Sequence, residues 1–365
     1  MNLNGLVLSG GGARTAFQVG VLKAIKEWVQ NDQSPFKVVS GVSAGSINAA
    51  YLAANADQFC YAVDQLESMW RTLTTKYVYN SPLISSSQSM TVFKVFQNVI
   101  KGKGSVNSIL NAMPLARLLS NRIDFGRIQQ CLDNQSLHSL AITATSFHES
   151  MATTFVQSNH ASEWNRVRRE GISSIIKTKH LMASTAIPFL FSPVRIKQQF
   201  YGDGSLRNIA PYSPAIRCGA QNLVVIGVRE ANSENGTNRK STISFGDIFS
   251  KILNTILFDS LDVDHERMTR INQTIEDSTN GHSKLKVVDS VMIRPSVNVN
   301  RLVNQYSYES PEILEQLLKL LGSKNNGNEL RSYLMFEAGY LSALIDLGYQ
   351  DAQHYKDQVI ELINK

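Results

Sequence analysis

One run of residues organises this sequence: Val38-Val39-Ser40-Gly41-Val42-Ser43-Ala44-Gly45-Ser46, which ends in a G-x-S-x-G motif. The helix-prone segment 47–54 follows directly. The pattern predicts a strand, a sharp turn with Ser43 at its apex, and a buried helix. Gly41 and Gly45 suit such a turn because other backbone can pass close to a residue without a side chain. Ser43 is therefore the candidate nucleophile; the alternative is a small-residue helix start that Ser43 or Ser46 caps.

A glycine-rich segment lies one predicted strand earlier. The apolar segment 3–8 leads into Ser9-Gly10-Gly11-Gly12-Ala13-Arg14-Thr15, and a helical pattern follows. Backbone N–H groups at such a position form a site for an anion. The anion is either a dinucleotide pyrophosphate or the oxyanion of an acyl-transfer intermediate. Thr15 stands where the dinucleotide motif needs its third glycine, which disfavours the nucleotide.

The two segments suit one catalytic site. A right-handed crossover would place the glycine-rich loop beside Ser43 in a parallel sheet. The loop could then stabilise the oxyanion that forms when Ser43 attacks a carbonyl, an effect worth roughly 3–4 kcal/mol for one donor. Arg14 either adds a positive charge there or is an exposed first-turn arginine. Asp203, in Gly202-Asp203-Gly204-Ser205, is either a turn aspartate or a base presented to a cleft.

The composition indicates a globular protein without a disulfide framework. The chain has 365 residues, of which 43% are hydrophobic, and its formal net charge is +6. Cys60, Cys131 and Cys218 are odd in number, widely spaced and outside any C-x-x-C pair, which also argues against a zinc knuckle. No basic stripe with interleaved aromatic residues is present, so we expect no binding to nucleic acid.

Neither a signal peptide nor a transmembrane segment is evident. The N-terminus lacks a basic region, and no window approaches the roughly 18 apolar residues of a membrane span. We therefore expect a cytoplasmic protein. The amphipathic segment 90–100 contains Lys94 and precedes Lys101 and Lys103. It is either ordinary packing or a contact with a membrane surface.

The sequence suggests a boundary after residue 230. We expect a catalytic domain at 1–230, a polar loop at 231–242, and a mostly helical C-terminal region at 243–365, with helices at 248–261, 268–275, 311–321 and 330–347. This region is either a packed extension or a small separate domain. An acidic cluster in it lacks an H-E-x-x-H motif, which favours a solvated helix face over a metal site: Asp259, Asp262, Asp264, His265 and Glu266.

Four segments, taken in order, resemble the patatin-like phospholipase family. They are the glycine loop Gly10-Gly11-Gly12-Ala13-Arg14, the elbow Gly41-Val42-Ser43-Ala44-Gly45, the block Ala183-Ser184-Thr185-Ala186-Ile187-Pro188, and Asp203-Gly204-Ser205. The resemblance covers about 3–228 and implies an α/β fold of three layers, with a mainly parallel central sheet flanked by helices. Two positions depart from the family pattern, since Thr15 and Ser205 stand where smaller residues are usual.

The resemblance also implies an activity. Ser43 would attack a lipid ester and Asp203 would be the general base. The backbone of Gly10, Gly11, Gly12 and Ala13, together with Arg14, would bind the oxyanion or the substrate. The substrate would be a phospholipid or another acyl lipid met transiently at a membrane surface, and neither a cofactor nor a metal is implied.

Two other functions fit the sequence. An α/β-hydrolase would use a Ser–His–Asp triad, for which His265, His282 or His354 follows Asp203 in the required order. That fold usually places several strands before its elbow, whereas about one β–α unit precedes Ser43. The second alternative is a non-catalytic lipid-binding protein that kept the fold.

Overall fold

The computed structural model describes residues 3–29, 31–81, 108–160, 163–230, 245–277, 285–320 and 328–365. Within α9 (Phe245–Glu276) the side chains of 245–250 and 252–259 are not described. The amphipathic segment 90–100 and the predicted polar loop 231–242 lie outside the described residues.

In the described part of the chain, ten strands form a single sheet. In chain order they are β1 Leu3–Leu8, β2 Val38–Val42, β3 Ser139–Ser146, β4 Met151–Ser158, β5 Trp164–Arg166, β6 Arg169–Ser173, β7 Val194–Ile196, β8 Gln199–Asp203, β9 Ala220–Ile226 and β10 Asp289–Ile293. Their spatial order is β10-β9-β1-β2-β3-β4-β6-β5, and β8 pairs with β3 and β7. The first five strands of this order run parallel, and β4 and β8 run antiparallel to β3.

The helices cover both faces of the sheet. Besides α9, those of the described residues are α1 Ala16–Val29, α2 Gly45–Ala54, α3 Phe59–Thr72, α4 Thr75–Val78, α5 Met113–Arg122, α6 Phe125–Asp133, α7 Thr178–Ser184, α8 Ser213–Arg217, α10 Val299–Gln305, α11 Glu312–Leu320, α12 Asn328–Leu334, α13 Ala338–Ala352 and α14 Lys356–Asn364. Short 3₁₀ turns include Gly12–Thr15 and Gly204–Leu206.

The buried side chains form two cores, one on each face of the sheet. Strand β1 shows why: Leu6 and Leu8 join the larger core, whereas Val7, between them, joins the smaller one. This alternation follows from the two-residue period of a strand. Helices α1, α2, α3 and α13 contribute to the larger core, and α8 and α9 to the smaller. The three-layer α/β fold with a mainly parallel sheet is thus confirmed.

The C-terminal region is continuous with this architecture. Strand β10 pairs with β9 and extends the sheet at one edge. Helix α13 packs along α1, where a side chain on Gly20 would meet the backbone of Ile345 and one on Gly348 would meet that of Phe17. Close packing of these helices therefore depends on a glycine from each.

Two helix predictions were wrong in their boundaries. The helices predicted at 248–261 and 268–275 form one helix, α9, because the residues between them include neither glycine nor proline. The single helix predicted at 330–347 is divided into α12 and α13. The break places Met335 and Phe336 in the core, so burial outweighs local helical preference there.

Candidate active site

Ser43 lies at the apex of a tight turn between β2 and α2. Its φ angle of 51° is in the left-handed region, which costs a residue with a side chain roughly 1–2 kcal/mol. The turn is compact because a Cβ on Gly41 would lie 2.7 Å from the Ala49 Cβ, and one on Gly45 would lie 2.6 Å from the Leu8 oxygen. Both elbow glycines thus occupy positions that only glycine fits.

The Ser43 hydroxyl donates a hydrogen bond of 2.6 Å to Oδ2 of Asp203. Strand β3 brings the two residues together. Val42, just before Ser43, pairs with Thr143, and Asp203 at the end of β8 pairs with the next residue, Ala144. The β2 elbow and the last residue of β8 therefore meet across one end of β3.

The carboxyl group of Asp203 is fully buried. Burial raises its pKa to about 6, while hydrogen bonds from Ser43 and Ser205 oppose the rise. The backbone N–H of Ser205 donates to Oδ1 at 2.9 Å, so Oδ2 remains for the serine. A Cβ on Gly204 would lie 2.6 Å from Cγ2 of Val42, and one on Gly202 would lie 2.6 Å from the Phe147 ring. The carboxylate is thus held in place and is basic enough to accept a proton near neutral pH.

Neighbouring serines fix the backbone of the elbow. The Ser43 N–H donates to Oγ of Ser184 at 2.8 Å, and that hydroxyl donates to the Thr143 carbonyl at 2.7 Å. On the other side, Oγ of Ser46 donates to the Ser43 carbonyl at 2.6 Å. These contacts hold Ser43 in its left-handed conformation from both sides.

The glycine-rich loop lies directly against the nucleophile. A Cβ on Gly10 would be 2.8 Å from the Ser43 Cβ, and Gly12 has a φ of 55°. In the described part of the chain, the N–H groups of Gly10, Gly11 and Gly12 donate to no protein acceptor. They are available to a negative oxygen on a substrate bonded to Ser43. Ala13 is the second residue of the short turn Gly12–Thr15 and is fully buried.

The Arg14 side chain bonds to the C-terminal helices. Its Nε donates to Oγ of Ser332 at 2.9 Å, and Nη2 donates to Oδ1 of Asn300 at 2.8 Å and to the Glu329 carbonyl at 3.3 Å. The side chain is 2% exposed, so the exposed-arginine alternative is wrong. These bonds indicate that Arg14 holds α10 and α12 against the loop.

An apolar cavity reaches Ser43 from the side of α3, α5 and α7. The nucleophile and Gly12 lie in its wall, and the rest of the lining is almost wholly hydrophobic, for example Ile47, Leu115 and Met182. Such a lining favours a hydrocarbon chain over a polar group.

Comparison with known proteins identifies the family. The patatin-like phospholipase domain matches residues 6–216, more than half of the chain. The chain belongs to the patatin-like phospholipase family. A segment of 99 residues is 36% identical to the lysophospholipase nte1 of Aspergillus terreus, and the match covers 25% of this chain and 6% of the relative.

Solved structures that align with this chain include one human and one bacterial protein. Human GIVD cytosolic phospholipase A2 aligns with a TM-score of 0.47 and 10% identity, over 100% of this chain and 60% of that one. VipD from Legionella pneumophila aligns with a TM-score of 0.39 and 15% identity, over 98% and 67%. This chain therefore spans 60% of the length of the human enzyme.

The histidines considered for a triad lie elsewhere. His265 Nδ1 is 3.0 Å from the Tyr212 hydroxyl, His354 lines a separate groove, and His282 is outside the described residues. Oγ of Ser43 donates instead to the carboxylate of Asp203.

The acidic cluster on α9 makes other contacts. Asp262 forms an ion pair with Arg294, and Asp264 accepts from the Tyr212 N–H. Within the described ranges there is no group of three or more histidine, cysteine or acidic residues placed to bind a metal ion. No helix of those ranges has both the length and the hydropathy needed to cross a bilayer.

Two residues of this patatin-like site were missed from the sequence. Ser184 lies in a block that was recognised, but nothing in the sequence showed that its hydroxyl supports the elbow. Tyr333 on α12 lines the cavity with Ser43 and Gly12, and it lies beyond the matched segment. No local pattern singles it out, because only the packing of the C-terminal helices brings it to the site.

Proposed function

We propose that this protein is a lipid acyl hydrolase that cleaves fatty-acyl esters of phospholipids through Ser43 and Asp203. The observation that carries the proposal is the 2.6 Å hydrogen bond from a strained, buried serine to a buried carboxylate, at the wall of an apolar cavity. The cavity would take the acyl chain, which places the ester carbonyl beside Ser43.

Acylation follows from this geometry. Oγ of Ser43 attacks the ester carbonyl while its proton passes to Oδ2 of Asp203, and the carbonyl π electrons move to the oxygen. The N–H groups of Gly10, Gly11 and Gly12 stabilise that oxyanion. The intermediate then collapses, the carbon–oxygen bond to the lysophospholipid breaks, and the departing alkoxide takes the proton from Asp203.

Deacylation repeats the sequence with water. Asp203 accepts a proton from the water that attacks the acyl-serine, and the oxyanion forms at the same loop. Collapse breaks the bond between Oγ and the acyl carbon, and Ser43 recovers its proton from Asp203. The products are a free fatty acid and a lysophospholipid. Asp203 carries the proton in each step and the glycine loop stabilises each oxyanion, so the proposed cycle uses neither a metal nor a cofactor.

Substrate access from a membrane surface fits the rim of the cavity. Phe191 and Val194 line the cavity, and Phe189, two residues before Phe191, is 53% exposed. An exposed aromatic side chain at this position can insert into the interface of a lipid surface. Activity is accordingly expected to be higher on phospholipid in vesicles than on the same lipid dispersed in detergent.

The deciding experiment combines labelling with product analysis. The wild-type protein is incubated with a fluorophosphonate probe and with a panel of phospholipids, lysophospholipids and neutral glycerides, and released fatty acid is measured. We expect a covalent adduct on Ser43, fatty-acid release by the wild type, and neither result for Ser43→Ala. An absence of labelling in folded protein presented with lipid would favour a non-catalytic lipid-binding protein.

A histidine variant separates the dyad from a triad. His265→Gln is expected to keep substantial esterase activity, since its ring contacts Tyr212 rather than Ser43. The remaining six histidines are replaced one at a time in the same assay. One variant as inactive as Ser43→Ala would overturn the dyad in favour of a triad.

A further inference from the structure

Tyr333, in the C-terminal region, lies in the wall of the cavity beside the nucleophile. It lies on α12, and its ring packs against the glycine loop: a Cβ on Gly12 would be 2.6 Å from Cδ1 of the ring. Tyr333 and Ser43 line the same cavity. The tyrosine is 4% exposed, so its hydroxyl lies inside the site rather than at its rim.

The position of Tyr333 is fixed by its neighbours. Ser332, the preceding residue, accepts hydrogen bonds from Nε and Nη2 of Arg14 at 2.9 and 2.7 Å. The Arg14 Cζ lies 5.8 Å from the centre of the Tyr333 ring, within range of a cation–π interaction. The same arginine therefore holds the glycine loop and Tyr333 together. Oxyanion stabilisation requires hydrogen-bond donors that are already in position before the reaction, and Tyr333 meets this requirement.

The electrostatic surroundings keep the Tyr333 hydroxyl protonated. Burial raises its pKa well above the usual range and the charge of Asp203 adds to the rise, whereas Arg14 and an interaction with the Ser43 side chain oppose it. A neutral phenol donates one hydrogen bond through its O–H. Tyr333 thus offers a neutral O–H donor inside the cavity that Ser43 also lines.

We propose that the Tyr333 hydroxyl is a catalytic donor, which completes the oxyanion hole formed by the N–H groups of Gly10, Gly11 and Gly12. The inference rests on the proposed function and adds a residue from outside the segment matched by the family. As the Ser43 oxygen bonds to the carbonyl carbon, the carbonyl oxygen gains the electron pair and the phenol donates a hydrogen bond to it. The phenol proton is not transferred, and the bond is released when the intermediate collapses.

The test is Tyr333→Phe, which removes the hydroxyl and keeps the ring against Gly12. The matched control is Tyr340→Phe, since Tyr340 is fully buried and donates to the Ser332 carbonyl at 3.2 Å, outside the cavity. Fatty-acid release from phosphatidylcholine vesicles gives kcat and KM. The number of reactive sites is titrated with the fluorophosphonate probe, so that unfolded protein does not lower the apparent kcat.

We expect Tyr333→Phe to lower kcat about 10²-fold, as is typical for the loss of one oxyanion donor, with KM changed less than about twofold. Labelling by the probe should slow in parallel, because the phosphonyl oxygen occupies the same hole. Tyr340→Phe should keep the wild-type kcat and labelling rate.

Three results would overturn the inference. They are a kcat of Tyr333→Phe equal to that of the wild type, a change in the KM of Tyr333→Phe without a change in kcat, or equal losses of kcat in Tyr333→Phe and Tyr340→Phe. In each of these the wild type still hydrolyses lipid, so the proposed function stands. A wild type that neither releases fatty acid nor reacts with the probe would overturn the proposed function itself, and the inference with it.

Discussion

The segment 3–230 and the C-terminal segment 285–365 contribute to the site in different ways. The first carries the elbow, the glycine loop and Asp203, each in a recognisable motif. The second contains no such motif, yet it supplies Tyr333 to the cavity and strand β10 to the sheet. The candidate catalytic groups thus lie in local sequence patterns, whereas part of the cavity beside Ser43 comes from distant sequence.

The two segments meet at the glycine loop. Arg14 donates hydrogen bonds to Ser332 and Asn300, and Gly12 lies against Tyr333. If this contact matters for catalysis, variants on either side of it should affect activity. If the first segment works alone, only changes to the dyad and its loop should do so.

Asp203→Asn should have the largest effect. The amide cannot accept the proton of Ser43, so activity should fall by roughly 10⁴-fold or more, measured as fatty-acid release per mole of folded protein. The matched control is Asp264→Asn, another buried carboxylate, which accepts from the Tyr212 N–H rather than from Ser43. Equal losses in both variants would show that buried carboxylates support the fold rather than the chemistry.

The same variant should be more stable than the wild type above pH 6. The pKa of Asp203 is raised from 3.8 to about 6. Above pH 6 the folded state therefore carries the full cost of burying the ionised carboxylate. That cost is lost as the pH falls from 6 towards the unfolded-state value near 4. Urea unfolding should give Asp203→Asn an advantage of up to about 3 kcal/mol at pH 7.5 that disappears near pH 4. A stability difference between Asp203→Asn and the wild type that did not change with pH would contradict the raised pKa of Asp203.

Gly12→Ala tests the contact between the segments. The new methyl group would meet the Tyr333 ring and would strain a residue with a φ of 55°, so we expect activity to fall about 10²-fold as the loop and Tyr333 separate. Gly219→Ala is the control, because Gly219 has a φ of 96° and a built Cβ would have only the Leu3 side chain nearby, at 3.3 Å. Comparable activity losses in the two variants would attribute the effect to backbone strain alone.

The pH profile examines the first segment by itself. Below about pH 6 Asp203 becomes protonated and can no longer act as the base, so kcat/KM should fall about tenfold per pH unit. A neutral glyceride ester serves as substrate, so that lipid ionisation does not contribute. A kcat/KM that stays constant down to pH 4.5 would argue against Asp203 as the base. If the fall in kcat/KM at low pH disappeared in His265→Gln, the titrating base would be that histidine.

Arg14→Lys should have the smallest effect. Lysine keeps the charge but lacks the planar fork that reaches Ser332 and Asn300 together, so we expect a loss of roughly 1–2 kcal/mol in stability and a few-fold loss in kcat. The control is Arg331→Lys on α12, the helix that carries Ser332. Arg331 pairs with Glu315 at a partly exposed position, so this substitution should change little. A normal kcat in Arg14→Lys, with lowered stability, would confine the arginine to a structural role.

Local sequence predicted much of the fold, because strand and helix patterns repeat at short range. The apolar run 3–8 marks β1, and the elbow motif marks the end of β2. The break between α12 and α13 was not predicted, since it depends on a core that receives Met335 and Phe336. The merging of two predicted helices into α9 shows the opposite error, in which one continuous helix was predicted as two.

What the sequence by itself determined is the identity of Ser43, the glycine loop and Asp203 as candidates, because each sits in a turn whose residue types are visible locally. Only the tertiary structure decided that Ser43 bonds to Asp203, since this requires the pairing of β2 and β8 with β3 across 160 positions of sequence. It also decided that Arg14 bonds to α10 and α12 and that Tyr333 enters the cavity. Such contacts depend on long-range packing, which leaves no periodic pattern in the chain.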